Sequence, residues 1–296
     1  MISISVGTFT KSILIEVAQN QGYITESGIT LQEIPVPSSP AQFEMLERGE
    51  INLAMTNPDN VLAYRYLKNN PLGRNLDVRI IGAIDRGLGL SLCYSPALIS
   101  SPTSLSSPTS LGVDVPTSGF AFIGYELLAM QGITFGSYKI ESLGSTPKRK
   151  VALIEGKVDS TMLNAGNEIK ATSQGAKQVA SVSEIGPYLG TVLSTLGPPT
   201  NDILKLQEII NQVVAEILRG EHATLITNIA QRNLEISEAQ ADEHYRILLD
   251  PIHGLVQTGK VDLSAIRTLI ELRNKYLPDT KLGQIMDDIS SLVTPN

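Results

Sequence analysis

The chain has 296 residues, is 42% hydrophobic and carries a formal net charge of −7. That length accommodates two ordinary domains or one large α/β domain with a sizeable core. An acidic balance without a basic stretch argues against nucleic acid as a partner. A single cysteine, Cys93, excludes an internal disulfide and any cysteine-built zinc cluster.

The first sixty residues read strand, helix, strand, helix, strand. An apolar run at 2–6 precedes Gly7-Thr8-Phe9-Thr10-Lys11 and an amphipathic stretch from Ser12 to Gln21. A second apolar run, Ile29 to Ile34, leads through Pro37-Ser38-Ser39-Pro40 into a helical stretch from Ala41 to Arg48. A third, Ile51 to Met55, ends at Thr56-Asn57-Pro58-Asp59. Parallel strands need crossover helices, so this alternation predicts a parallel sheet. Hydroxyl, amide or acid residues (Thr8, Thr10, Ser38, Ser39, Asn57 and Asp59) follow each strand. Helix N-termini carry free N–H groups and partial positive charge, and ligands of open α/β sheets bind beyond the carboxyl ends of the strands. Each residue alone reads equally as a simple N-cap. Three such turns at one end of a sheet read as a site.

A helix from Pro58 to Leu67 stops at Lys68-Asn69-Asn70-Pro71. Strands are expected at 77–84 and 88–94, with Asp85-Arg86-Gly87 as a tight turn between them. Cys93 falls in the second, where buried packing is the expectation. The repeat Ser101-Pro-Thr-Ser-Leu105, Ser107-Pro-Thr-Ser-Leu111 reads as an exposed connection.

A second strand–helix series follows. Strands are expected at 111–115, 138–143, 159–163 and 179–182, and helices at 120–131, 146–155 and from Asn167 to Ser173. Pro116-Thr117-Ser118-Gly119 and Asn164-Ala165-Gly166-Asn167 are its polar turns. The passage Leu46 to Ala54 has a counterpart in Leu153 to Thr161: each helix ends at a glycine, Gly49 or Gly156, and a strand begins soon after. Two similar α/β lobes are therefore expected. Beyond Pro198 the chain reads as helices at 201–219, 222–232, 238–249, 263–277 and 282–292, packed on the lobes and hinge. The three histidines, His222, His244 and His253, lie there without metal-like spacing and are expected to be solvated or core residues.

Several details together resemble the substrate-binding proteins of ABC importers, in the nitrate/sulfonate/taurine and thiamine-precursor branch. They are Gly22-Tyr23 and Ser27-Gly28-Ile29, the passage Leu46 to Ala54, Gly119 to Leu128 with Gly132-Ile133, the passage Ala152 to Asp159, and Tyr188-Leu-Gly190. The resemblance covers roughly residues 2 to 250. It implies an α/β, two-lobed, type 2 periplasmic-binding-protein-like fold, each lobe a mixed sheet flanked by helices, with extra C-terminal helices. The implied segments are 1–98 for the first lobe, 99–187 for the second, and 188–296 for the return to the first lobe plus the C-terminal helices. Crossovers are expected near 94–105 and 187–195.

The resemblance also implies a cleft ligand and a hinge motion that closes on it. The first lobe would offer Thr8, Phe9, Thr10, Ser38, Ser39, Asn57 and Asp59. The second would offer Ser118, Gly119, Phe120, Asn164 and Asn167. Tyr188 is an aromatic candidate, whereas Tyr125 reads as core. Arg86, near the hinge, is a candidate partner for a carboxylate or sulfonate, since arginine binds such groups bidentately; a surface ion pair with Asp85 or Glu184 is its plainer reading.

The expected ligand is a small polar or anionic molecule, a sulfonate, carboxylate or pyrimidine, with no metal and no cofactor, and an ABC permease as partner. The rival reading is a cytoplasmic decarboxylase, lyase or isomerase on the same scaffold. No nucleophile elbow, phosphate loop or His-Glu-x-x-His is present to support it. No run is long and apolar enough to span a bilayer. No secretory leader is readable after Met1, so a periplasmic location requires a removed leader, and a native start at Met1 a cytoplasmic one.

Overall fold

The computed structural model describes residues 2–100, 107–277 and 292–293. The first lobe opens with β1 (Ile2–Thr8), α1 (Ile13–Asn20), α2 (Tyr23–Glu26) and β2 (Ile29–Pro35). It continues with α3 (Ser39–Glu47), β3 (Leu53–Thr56), α4 (Pro58–Tyr66) and β4 (Val78–Asp85). The second comprises β5 (Ser91–Tyr94), α5 (Pro96–Ile99), β6 (Ser110–Val113), α6 (Gly119–Met130), β7 (Lys139–Ser142), α7 (Thr146–Ile154), β8 (Ser160–Leu163), α8 (Asn167–Ser173) and β9 (Lys177–Ser181). The chain then returns through β10 (Thr191–Leu196) to α9 (Asn201–Leu218), α10 (Ala223–Leu234), α11 (Glu238–Leu249) and α12 (Leu263–Tyr276).

Two five-stranded mixed sheets result, in the orders β2-β1-β3-β10-β4 and β7-β6-β8-β5-β9. Their plans match strand for strand. β1 pairs parallel with β2 and β3, as β6 does with β7 and β8. The fourth strand of each sheet, β10 or β5, runs antiparallel to both neighbours. The sequence correspondence around Gly49 and Gly156 is thus structural. Each glycine follows a helix, α3 or α7, with φ of 71° or 68°, and leads into the third strand of its sheet.

The sheets are mixed, as the resemblance implied: the antiparallel members are β5 and β10, because each fourth strand arrives from the other lobe. The turn expected at Asp85-Arg86-Gly87 is instead a crossover. β4 and β5 do not pair, and the chain changes sheets between Asp85 and Ser91 and again between Ser181 and Thr191. The first crossover therefore precedes the 94–105 region, and the segment 1–98 contains β5, a strand of the second sheet. An apolar run such as Leu88 to Tyr94 reads the same whichever sheet it joins. The first copy of the Ser-Pro-Thr-Ser-Leu repeat and nearly all of the expected helix 282–292 lie outside the described residues. The second copy is anchored rather than free: the Thr109 N–H and hydroxyl donate to Asp159 Oδ2 at 2.8 and 2.6 Å, and β6 starts at Ser110.

The core explains why the lobes sit where they do. One apolar cluster runs from Phe43, Leu62 and Tyr64 in the first lobe to Leu111 and Phe122 in the second, bridged by Leu269 and Ile270 of α12. A second packs β1 and α1 against α9, through Val6, Ile15, Leu206 and Ile210. A third, around Cys93, Leu153, Leu163 and Ala171, packs α7 and α8 on the second sheet. Cys93 is buried as expected.

Candidate binding cleft

A cavity of about 150 Å³ lies between the lobes. Its first-lobe wall is the turn after β1 and the starts of α1 and α4; its second-lobe wall is the starts of α6 and α7 and the turn after β8. The sequence-predicted residues Thr8, Phe9, Thr10, Asn57, Ser118, Gly119, Phe120 and Asn164 all line it. Most also have local work. Asn57 caps α4, its Oδ1 accepting from Asp59 N–H at 3.0 Å, while its Nδ2 donates to Tyr188 Oη at 2.7 Å and Gly190 O at 3.1 Å. Ser118 caps α6 by accepting from Ala121 N–H at 3.3 Å. Thr8 donates to Glu33 Oε1 at 2.7 Å. The capping reading and the site reading hold for the same residues, because a capped helix start is also what faces the cleft.

Ser38, Ser39, Asp59, Arg86, Asn167 and Tyr188 are not in the wall, and each has a structural partner instead. Ser38 caps α3 through Ala41 N–H at 3.4 Å. Ser39 crosses the cleft, its hydroxyl donating to Asp114 Oδ2 at 2.7 Å. Asp59 is fully buried in a two-bond ion pair with Arg273, at 2.8 and 2.6 Å. Asn167 donates to Asn164 O at 3.1 Å. Tyr188 stands behind the wall on Asn57. Arg86 makes neither an anion site nor the surface ion pair; its guanidinium donates to Leu255 O at 2.9 Å and its N–H to Gly254 O at 2.9 Å, tying the crossover to the C-terminal helices. Tyr125 is core, as expected.

The buried basic group in the wall is Arg149, on α7 and 2% exposed; Lys11, the other, is exposed at the rim. Its guanidinium donates to Gly144 O, to Thr146 Oγ1 at 3.0 Å and to Met162 O at 3.2 Å, while Nε has no partner. No carboxylate of the described residues forms an ion pair with it, and the Phe120 ring centre lies 5.8 Å from it. Burial pulls its pKa down to about 10, against the pull of Asp114. An arginine held this deep on neutral acceptors still favours an anion nearby. A sequence signal existed: Arg149 is in helical phase with buried Ala152 and Leu153, where an apolar residue is the norm. Ser145 beside it starts α7 without a side-chain capping bond.

Two acids face the same space. Asp114, at the end of β6, accepts from Ser39 on one oxygen and leaves Oδ1 buried without a partner. Asp85 sits at the first crossover, 1% exposed, where burial raises its pKa to about 6 against the opposing pull of Thr191 and the Gly87 N–H. The C-terminal helices add a wall that sequence reading placed outside the site. Ile229, Ala230 and Leu234 of α10 and His244 and Leu248 of α11 line it. His244 is buried, and that burial lowers its pKa to about 4, so it is neutral at pH 7. Away from the cleft, Glu216, Glu221 and His222 bring ligand-type atoms within 4.8 Å of one another. Glu216 there already accepts from Tyr23, Gln212 and His222.

The lobes are in contact across the cleft. Besides Ser39 with Asp114, Ser145 N–H donates to Pro37 O at 3.2 Å. Arg273 of α12 reaches both lobes at once, pairing with Asp59 and donating to Thr117 O at 2.9 Å.

Glu168, behind the Asn164 turn, yields a pH prediction. It is 1% exposed, packs close to Gly89 of the crossover, and has no hydrogen-bond partner on either oxygen. Burial raises its pKa to about 8, with the Gly166 and Glu168 N–H groups and nearby Glu243 as smaller influences. A raised acid pKa stabilises the fold fully below the unfolded value, near 4.5, and that stability is lost as pH rises to about 8. Glu168→Gln is therefore expected to raise stability by on the order of a few kcal/mol at pH 8 and by little at pH 4.5. Melting curves of both proteins across that range check it; a constant difference removes Glu168 as the cause.

No protein-family model matches the sequence, and no curated protein matches it. Solved structures do match in fold. The alkanesulfonate-binding protein SsuA from Xanthomonas axonopodis pv. citri, bound to MOPS, superposes with a TM-score of 0.75 at 13% identity, over 99% of this chain and 98% of that one. The periplasmic nitrate-binding protein NrtA from Synechocystis PCC 6803 gives 0.74 at 10% identity, over 99% and 85%. A conserved Candida albicans gene product with the generic periplasmic binding protein fold gives 0.73 at 14% identity, over 99% and 96%. The chain has the periplasmic-binding-protein fold.

Proposed function

We propose that this chain is a solute-binding protein that takes a small polar organic molecule carrying an acid group into the interlobe cleft, as the receptor component of an ABC importer. The single observation that carries the reading is Arg149, a buried guanidinium in the cavity wall with an unpartnered Nε and no paired carboxylate. The starts of α6 and α7 flank it, and helix N-termini favour negative charge. The structurally similar proteins include an alkanesulfonate binder and a nitrate binder, which supports sulfonates and carboxylates as the first ligands to try. Pyrimidines belong in the same screen. A permease as partner and an extracytoplasmic location follow from this role. Among the described residues no helix is long and apolar enough to cross a membrane.

The test is a thermal-shift screen with small sulfonates, carboxylates and pyrimidines, followed by mass analysis of the incubated ligand. A ligand at about a hundred times its Kd should stabilise the protein by about 2.7 kcal/mol and be recovered unchanged. Arg149→Gln is expected to weaken an acid ligand by about 30-fold or more, the usual effect of removing one partner of a buried charged contact. Undiminished affinity in a folded variant would take Arg149 out of the site. Recovery of a chemically altered molecule would replace binding by catalysis.

A further inference from the structure

Where α9 gives way to α10, away from the cleft, Glu216, Glu221 and His222 each bring one ligating atom within 4.8 Å of the others. The turn between the helices makes this possible. Gly220, with φ of 86°, turns the chain, its N–H donating to Ile217 O at 2.8 Å, and the Glu221 N–H donates to Glu216 O at 3.0 Å. His222 follows with φ of 62°, a left-handed backbone that residues with a β-carbon rarely adopt. It stands at the N-cap position of α10 and forms no capping bond there. Its ring turns back to Glu216 instead, with Nε2 2.8 Å from Oε2.

The surroundings of these three residues have the makings of a metal centre. Metal ligands are normally oriented by hydrogen bonds from a second layer of groups. Glu216 is oriented in that way: Gln212 Nε2 donates to its Oε1 at 2.9 Å, and Tyr23 Oη, from α2, reaches Oε1 at 3.0 Å and Oε2 at 3.1 Å. Glu221 Oε1 accepts from Arg219 Nε at 2.7 Å, and its second oxygen has no partner among the described residues. Glu216 and His222 are largely buried, whereas Glu221 is exposed and leaves a way in from solvent. Two carboxylates and a neutral imidazole carry two negative charges, which one divalent cation cancels. Magnesium and calcium take oxygen ligands, whereas an imidazole beside carboxylates suits zinc and its neighbours in the first transition row.

We propose that Glu216, Glu221 and His222 form a structural site for a divalent transition-metal ion of the zinc type, with water completing its shell. The ion takes the place of the hydrogen between His222 Nε2 and Glu216 Oε2, and the ring keeps its proton on Nδ1. Rotation of the exposed Glu221 side chain closes the ligand set. The ion then ties the α9–α10 turn to α2 through Tyr23. It also fixes the start of the helix whose later residues, Ile229, Ala230 and Leu234, line the cavity. The assignment is independent of what the cleft holds.

The experiment strips the full chain with a chelator and titrates it with zinc chloride by calorimetry at pH 7, then repeats the titration in excess magnesium chloride. About one equivalent of zinc is expected to bind saturably, with magnesium unable to compete, and the melting temperature is expected to rise with zinc. Cobalt chloride gives a second readout, a visible ligand-field absorption that zinc abolishes. Loss of a second-layer partner costs about 10–100-fold in metal affinity, so Tyr23→Phe should weaken zinc about tenfold. Loss of a ligand should cost more: about 100-fold in His222→Gln, with the cobalt absorption gone, and a similar loss in Glu221→Gln, an exposed position that leaves the fold alone. His222→Gly suits the left-handed backbone and keeps the test open if the glutamine variant folds poorly; its melting temperature should no longer respond to zinc. Absence of saturable zinc binding overturns the assignment. So does zinc binding of parental affinity in both His222→Gln and Glu221→Gln, which puts the ion elsewhere on the chain.

Discussion

Arg273→Ala is expected to destabilise the protein by about 3–5 kcal/mol, because it strands a fully buried carboxylate. Asp59 is 0% and Arg273 2% exposed, and two hydrogen bonds of 2.8 and 2.6 Å join them. The guanidinium also lies 4.9 Å from the Phe122 ring centre and bonds Thr117 O. α12 thereby spans both lobes, with Lys275 and Tyr276 adding bonds to Glu126 of α6 at 2.6 and 2.8 Å. A loss of this size lowers Tm by roughly 10 °C for a chain of this length. The double variant Asp59→Leu/Arg273→Met should recover most of it, since removing both charges leaves none unpaired. Chemical denaturation of the three proteins measures this, and a double variant no better than the single one would place the effect in packing rather than in charge.

Gly119→Ala is the second large effect, and it acts on closure rather than on folding. Gly119 opens α6 in the second lobe and rests on the first. A β-carbon there would lie against Asn57 Oδ1 and 2.7 Å from the Asp59 Cβ. The α4 start that it would strike is itself fixed by the Arg273 pair, so the way to relieve the contact is to part the lobes. The variant is expected to keep its secondary structure, expand in solution scattering, and lose affinity for its ligand by about tenfold or more, in proportion to the fall in the closed population. Scattering and affinity identical to the parent protein would mean that the lobes close without this contact.

These two positions show how residue type and residue role part company. Asp59 and Gly119 both stand out in the sequence as members of polar turns after strands. One proves to be an ion-pair anchor and the other a steric contact between lobes, and both act on how the cleft shuts. Arg149 and Arg273 carried a legible mark, since each occupies the buried phase of an amphipathic helix. A sequence shows that such an arginine must have partners. It does not show whether they are backbone carbonyls, as for Arg149, or a carboxylate 214 residues away, as for Arg273. Arg86 was the reverse case: its neighbours in sequence suggested an anion site or a surface pair, and the fold supplied a carbonyl of a distant loop.

By itself the sequence determined what depends on short range. The alternation of apolar runs and capped helix starts set the polar turns and the expected helices of the described residues close to their observed positions, and the Gly49 and Gly156 passages announced two lobes of one plan. Apolar periodicity and capping are local properties, read within a few residues. Tertiary structure alone decided three things. It sent β5 and β10 into the opposite sheets, because pairing depends on partners far along the chain. It brought α10 and α11 over the cleft, so that a helical stretch with no apparent role became a wall of the cavity. And it set Arg149 and Asp114 in one cavity without letting them pair, a matter of distances between elements that no local pattern carries.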